Sequence, residues 1–137
     1  PVLVRLQTNS QRQALFNEVV FHMAPIVRLA PGGARFRTGT ELPSLNLNRV
    51  YVLTTEATCS ASESLVNGLR GIGVAVHLIG DTTCGKPFGM ARKDNCGSSF
   101  YPVEYQGVNA RGEADYVRGF SPTCSVADDL GVEAECF

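Results

Sequence analysis

Residues 48–80, NRVYVLTTEATCSASESLVNGLRGIGVAVHLIG, constrain the fold more than any other stretch of the chain. In NRVYVLTT, Val50 and Val52 fall on one side and Tyr51 and Leu53 on the other, and all four are apolar or aromatic. Such a run is expected of a strand covered on both faces, as in a parallel sheet. After a turn at EATC, the residues Ala61, Leu65, Val66, Leu69 and Ile72 make one apolar stripe of a helix, which Gly71 and Gly73 end. VAVHLIG (74–80) is a second nearly continuous apolar run. Strand, helix and strand with short connections make a βαβ unit, which implies two parallel strands and a right-handed crossover.

The remaining segments add to that core without repeats or low-complexity tracts. NSQRQALFNEVVFHM (9–23) predicts a helix capped by Ser10, with Leu15, Val19 and Met23 on one stripe beside Phe16 and Val20. Residues 30–48 carry Gly, Pro and polar residues without a period and predict a long loop or flap. GDTTCGKPFGMARKDNCGSS is a glycine-rich loop, and FYPVEYQGV alternates as a later, antiparallel strand would. Residues 109–124 are rich in turn formers, and the tail SVADDLGVEAECF predicts a short helix. At 137 residues the expectation is one α/β domain, a βαβ core with parallel strands plus additional antiparallel strands.

Charge excludes some partners. The formal net charge is −1 and the basic residues are scattered, so there is no electrostatic footprint for nucleic acid or an anionic membrane. No apolar stretch approaches the roughly 18–20 residues needed to span a bilayer. PVLVRLQTNS lacks the pattern of a signal peptide and an initiator Met, so a processed product or excised fragment is expected. The cysteines stand at 59, 84, 96, 124 and 136. They form no C-x-x-C, and with only His22 and His77 beside them a zinc site has little support; no metal or organic cofactor is expected. Disulfides formed in an oxidising compartment are the better reading, with Cys84–Cys96 and Cys124–Cys136 as local pairs and one thiol left over. Buried free thiols are the alternative.

Sites in open α/β sheets form outside the carboxyl ends of the strands. Ser60 follows the first strand of the βαβ unit and Lys86 follows the second, so parallel strands bring both loops to one sheet edge. A serine hydroxyl is a weak nucleophile until a base takes its proton. A lysine serves only when neutral, which requires its pKa to fall from about 10.4 toward about 7–8. Ser60 would sit in the positive field of a helix N-terminus, where the Ala61 N–H can donate to a developing oxyanion. Ser60-Ala61-Ser62-Glu63 also fits the S-x-x-E capping box, in which Glu63 reaches back to the turn. Cap and nucleophile are both open readings of Ser60, as solvated loop residue and base are of Lys86. His77 within a strand reads as packing, Asp81 as loop structure, and Asp128-Asp129 as a solvated helix start.

Residues 49–89 resemble the core of the carboxyl-terminal (tail-specific) processing proteases, which use a serine–lysine dyad. That family's pattern is an apolar strand, T-x-S-A-S-E with the first serine of S-A-S-E as nucleophile, a second strand, and T-x-G-K with the lysine as general base. Thr58-Cys59-Ser60-Ala61-Ser62-Glu63 and Thr83-Cys84-Gly85-Lys86 match in order. The resemblance covers about residues 45–130, is loose over 1–45, and is to a cysteine-bearing, exported bacterial branch. It implies half of a crotonase-like catalytic domain acting on polypeptides, with Ser60 and Lys86 catalytic, Ala61 donating to the oxyanion, and Glu63 and Gly85 supporting. The family's D-L-R-x-N-x-G-G stretch, which gives the second oxyanion donor, precedes the region matched and is not read in this chain, and neither is a PDZ-like module. Where many relatives carry glutamine four positions after the lysine, this chain has Met90. Two rival readings stand beside this one: a non-catalytic binding or scaffold module of the same superfamily, and a structural fragment whose uncovered apolar faces favour a homodimer.

Overall fold

The computed structural model describes residues 2–9, 20–22 and 45–127. The βαβ unit is present: β3 (Arg49–Thr54), α1 (Ala61–Gly71) and β4 (Ala75–Gly80). The two strands are parallel and in register from Arg49↔Ala75 to Thr54↔Gly80. The helix ends as its glycines predict, with Ile72 as C-cap and Gly73 at φ 89°. A two-residue strand, β9 (Cys124–Ser125), pairs parallel to β4 on its other side, which the sequence reading missed. The Thr123 side chain supports this join by accepting a hydrogen bond from the Leu78 N–H at 3.1 Å.

A second, antiparallel sheet lies across the helix, with strand order β2-β1-β8-β5. Its strands are β1 (Val2–Thr8), β2 (Val20–His22), β5 (Phe88–Met90) and β8 (Val103–Val108). The antiparallel strand expected within FYPVEYQGV is therefore found. β1 pairs with β8 from Arg5↔Val108 to Thr8↔Tyr105, so the first described strand shares a sheet with residues 103–108. A hairpin, β6 (Lys93–Asn95) with β7 (Ser98–Phe100), stands apart from both sheets. The mixed α/β class with parallel and antiparallel strands is as expected.

Several local expectations are corrected. Residues 20–22, expected at the end of a helix, pair with β1 as strand; residues 10–19 and 23 of that segment lie outside the described residues. The expected flap over 30–48 is described only from residue 45, and the tail helix and Asp128-Asp129 lie outside the described residues. The glycine-rich loop 80–99 contains β5 and β6 and the start of β7.

The inward face of α1 also differs from the apolar stripe. Ala61 and Leu65 are exposed, while Glu63, Val66, Asn67, Gly68 and Gly71 are buried. The reason is close approach: a Cβ on Gly68 would stand 2.6 Å from Leu3 Cγ of β1, so this face admits small residues where the helix crosses the second sheet. The core is formed by Val66, Val76 and Leu78, with Val50, Val52, Leu69 and Phe120 packed against it. Burial of this set supplies stabilisation at roughly 25 cal/mol per Å² of apolar surface. The opposite face of β3 is not covered among the described residues: Tyr51 is 51% and Leu53 80% exposed. The two-sided burial expected of β3 is thus found, among the described residues, on one side only. Tyr51 stacks on His77 across the strand pair, centroids 5.2 Å apart, which gives His77 the packing role expected of it.

Candidate active site

Ser60 stands where β3 gives way to α1. The turn before it is closed by Thr58 N–H to the Thr55 carbonyl at 2.9 Å and by Thr55 N–H to Thr58 Oγ1 at 3.0 Å. Ser60 itself is the helix N-cap, with φ 53° and ψ −105°. A non-glycine residue in that region costs on the order of 1–3 kcal/mol and persists only where its surroundings enforce it. Strained serines at strand-to-helix turns are how hydrolases expose a nucleophilic hydroxyl at a sheet edge. The following N–H, that of Ala61, is the first of the helix and has no intrahelical acceptor to satisfy it.

Lys86 arrives from the end of β4. Its loop is fixed to the serine loop by Asp81 N–H to the Thr54 carbonyl and Cys84 N–H to the Thr58 carbonyl, both at 2.9 Å. The Asp81 carbonyl also accepts from Thr54 Oγ1 at 2.8 Å, so Asp81 belongs to the loop's structure. A disulfide joins Cys59 to Cys84. The expected Cys84–Cys96 pair is therefore corrected: Cys59 and Cys84 flank loops that parallel strands bring together, whereas Cys96 is a free, exposed thiol on the β6–β7 turn. Cys124 is disulfide-bonded to a partner outside the described residues.

The two loops converge on Glu63, which is completely buried. Its Oε2 accepts from Ser60 N–H at 3.0 Å and Lys86 N–H at 2.8 Å. Its Oε1 accepts from Gly85 N–H at 2.7 Å and Thr83 Oγ1 at 2.6 Å. Two donors on one oxygen put the Ser60 and Lys86 nitrogens within about 6 Å of each other. Burial raises the Glu63 pKa, but the hydrogen bonds from Thr83, Lys86, Gly85 and Ser60 together outweigh it, so the carboxyl is held below its ordinary value and remains ionised. The supporting role expected of Glu63 is wider than a capping box, because it spans both loops.

Gly85, the other residue expected to support the site, has φ 85° and lies against a third loop. A Cβ there would collide with the Val117 carbonyl oxygen and the Gly119 nitrogen. That third loop is the part sequence reasoning missed. Thr83 Oγ1 accepts from the Phe120 N–H at 2.8 Å while donating to Glu63, so it couples the third loop to the carboxylate. Tyr116 is buried, stacks on Phe120 at 4.6 Å, and places its hydroxyl 3.4 Å from Ser64 Oγ. Burial first, and the nearby Glu63 charge, push the Tyr116 phenol up, partly offset by the Ser64 contact. Below them, buried Asn109 donates to Asn67 Oδ1 at 3.1 Å and Glu113 Oε2 at 2.7 Å and ties the loop to the helix. Thr83 was visible as the first residue of T-C-G-K; nothing in the turn-rich text around Asn109 and Tyr116 marked them.

Cys59, Glu63 and Cys84 bring their donor atoms within 4.8 Å of one another. The sulfurs are bonded to each other and both carboxylate oxygens are occupied, so this set offers a cation no open ligands in the disulfide form.

Fold and site together define a mixed α/β domain with a strained serine at a strand-to-helix turn and a lysine loop fixed beside it. The structure is similar to that of a Bacteroides fragilis protein named "Putative S41 protease", with a TM-score of 0.69 and 28% sequence identity over 93% of this chain. The chain spans 30% of that protein's length. No family model matches the chain, and no curated protein does.

Proposed function

We propose that the chain is the C-terminal part of the catalytic domain of a serine endopeptidase of the tail-specific processing type, with all of residues 1–137 in that one domain. The observation that carries this reading is the backbone of Ser60, φ 53° and ψ −105°, at a turn whose partner loop delivers Lys86. The likeness to the S41 protein supports a peptidase. Ser60 Oγ attacks the carbonyl carbon of an extended polypeptide while Lys86 Nζ takes the hydroxyl proton. Ala61 N–H donates to the oxyanion, and the remaining donor comes from a part of the catalytic domain outside this chain. The leaving amine takes the proton back from Lys86, and water then hydrolyses the acyl-serine.

The exposed apolar face of β3 fits coverage by that further part of the domain, or by a second copy of the chain. Export to an oxidising compartment fits the Cys59–Cys84 bridge; among the described residues no helix is long and apolar enough to cross a membrane. The test is covalent labelling of protein carrying the complete catalytic domain with a fluorophosphonate, followed by peptide mapping. Label is expected on Ser60, absent in Ser60→Ala and strongly reduced in Lys86→Ala. Label on another residue, or unchanged polypeptide cleavage in both variants, overturns the assignment of Ser60 and Lys86, and absence of any label leaves the binding-module reading.

A further inference from the structure

The Cys59–Cys84 disulfide links the residue immediately before Ser60 to the residue two before Lys86, across a sequence separation of 25. We propose that this bond is a reducible latch that positions Ser60 against Lys86; the proposal rests on the serine–lysine reading above. Three observations carry it. Ser60 occupies a backbone region that its surroundings must enforce, and it is held on its helix side by Glu63 and on its strand side by the bridged Cys59. The two constraints differ in accessibility. Glu63 is wholly buried, whereas Cys84 is exposed, so the disulfide is the constraint that solution chemistry reaches. Finally, the core of Val66, Val76 and Leu78 contains neither sulfur, so opening the bond loosens the site while the sheets stay packed.

The step requires a dithiol reductant. Its thiolate attacks the Sγ of Cys84, the more exposed residue of the pair, the S–S bond breaks, and Cys59 leaves as a thiolate next to the positive end of α1, which favours it as leaving group. The reductant's second thiol displaces Cys84 from the mixed disulfide. Two electrons pass to the protein, the two protein thiols take the two protons, and the reductant ends as its own disulfide. An exposed disulfide is the kind that exchanges readily, in contrast to buried structural ones.

The experiment uses protein carrying the complete catalytic domain in a Cys96→Ser background, which removes the free exposed thiol. Polypeptide cleavage is followed before and after dithiothreitol, with alkylation and mass analysis to count opened bonds. A Cys59→Ser/Cys84→Ser variant is measured in parallel, because it leaves the Cys124 disulfide intact. The expected result is a fall in kcat of about tenfold or more, since small misplacements of reacting groups cost that much, with KM changed less than about twofold. The double variant should match the reduced protein, reoxidation should restore the oxidised rate, and far-UV circular dichroism should be unchanged. An unchanged kcat with Cys59 and Cys84 alkylated overturns the latch and leaves the serine–lysine reading standing. So does loss of secondary structure in the Cys59→Ser/Cys84→Ser variant, which would make the bond structural. Failure of the oxidised protein to label at Ser60 overturns both.

Discussion

Ser60 and Lys86 donate their backbone N–H groups to the same atom, Glu63 Oε2, at 3.0 and 2.8 Å. Loops from two different strands thus share one acceptor, and the distance between them is set by the size of an oxygen atom instead of by loop flexibility. Replacing the carboxylate tests this. In Glu63→Gln one oxygen becomes an NH2 group, which faces the Ser60 and Lys86 N–H groups in one orientation and the Gly85 N–H and the Thr83 hydroxyl in the other. The Thr83 hydroxyl can turn to accept, but the Gly85 N–H cannot, and a donor left unsatisfied in a buried position costs about 1–3 kcal/mol, so a loss of about 1–3 kcal/mol is expected in urea unfolding. Cleavage should fall with it even at temperatures where the variant is fully folded. Wild-type stability in the variant would show that the carboxylate does not organise the two loops.

Acid should act on the same group. The folded Glu63 carboxyl is held below its ordinary value of 4.5. A depressed carboxyl pKa contributes stability that is present above the unfolded-state value and is lost as pH falls through the folded-state value. Melting temperature should therefore be level above pH 5 and should decline on acidification below about 4.5. Asp94, lowered by Ser99 and Arg92 on the exposed hairpin, has the same sign. The comparison that isolates Glu63 is the Glu63→Gln variant, whose melting temperature should fall less steeply over that acid range. Identical slopes would assign the acid sensitivity elsewhere.

The βαβ unit and the approach of the loops that carry Ser60 and Lys86 were legible because they follow from short-range signals, apolar runs and glycine stops, joined by a topological rule. β1 was not read, although Val4 and Leu6 alternate with exposed Arg5 and Gln7, because a seven-residue alternation next to a helical pattern carries little information by itself. The inward face of α1 was misread because Glu63, Asn67 and Gly68 are not apolar. Their burial depends on partners from distant strands and loops that no local pattern reveals. The Cys59–Cys84 pairing failed for the same reason: spacing favours near neighbours, and only parallel pairing of β3 with β4 brings these two loops together.

Gly85 tests whether the third loop matters to the site. With φ 85° and backbone of Val117 and Gly119 against it, an alanine there meets both an unfavourable dihedral and a steric block that no side-chain rotation relieves. Gly85→Ala should cost about 2 kcal/mol or more, above the 1 kcal/mol scale of the dihedral alone. The chain should respond by moving the loop around Tyr116, visible as a change in tyrosine near-ultraviolet circular dichroism. A cost below 1 kcal/mol with unchanged spectra would mean that this loop moves away freely.

Strain at Ser60 gives a test of function that needs no substrate. If the backbone at φ 53° and ψ −105° exists to present a nucleophile, the protein is less stable than it would be with a residue suited to that region. Glycine adopts such a conformation without a Cβ penalty, and at an N-cap it costs only a few tenths of a kcal/mol relative to serine. Alanine loses the hydroxyl but keeps the Cβ. Ser60→Gly should therefore be more stable than Ser60→Ala by about 1 kcal/mol, and equal to or above the wild type, while both lose labelling by a fluorophosphonate. Matched urea unfolding curves of the three proteins measure this directly. If Ser60→Gly proves the least stable of the three, the turn is not strained and the serine is serving as a helix cap.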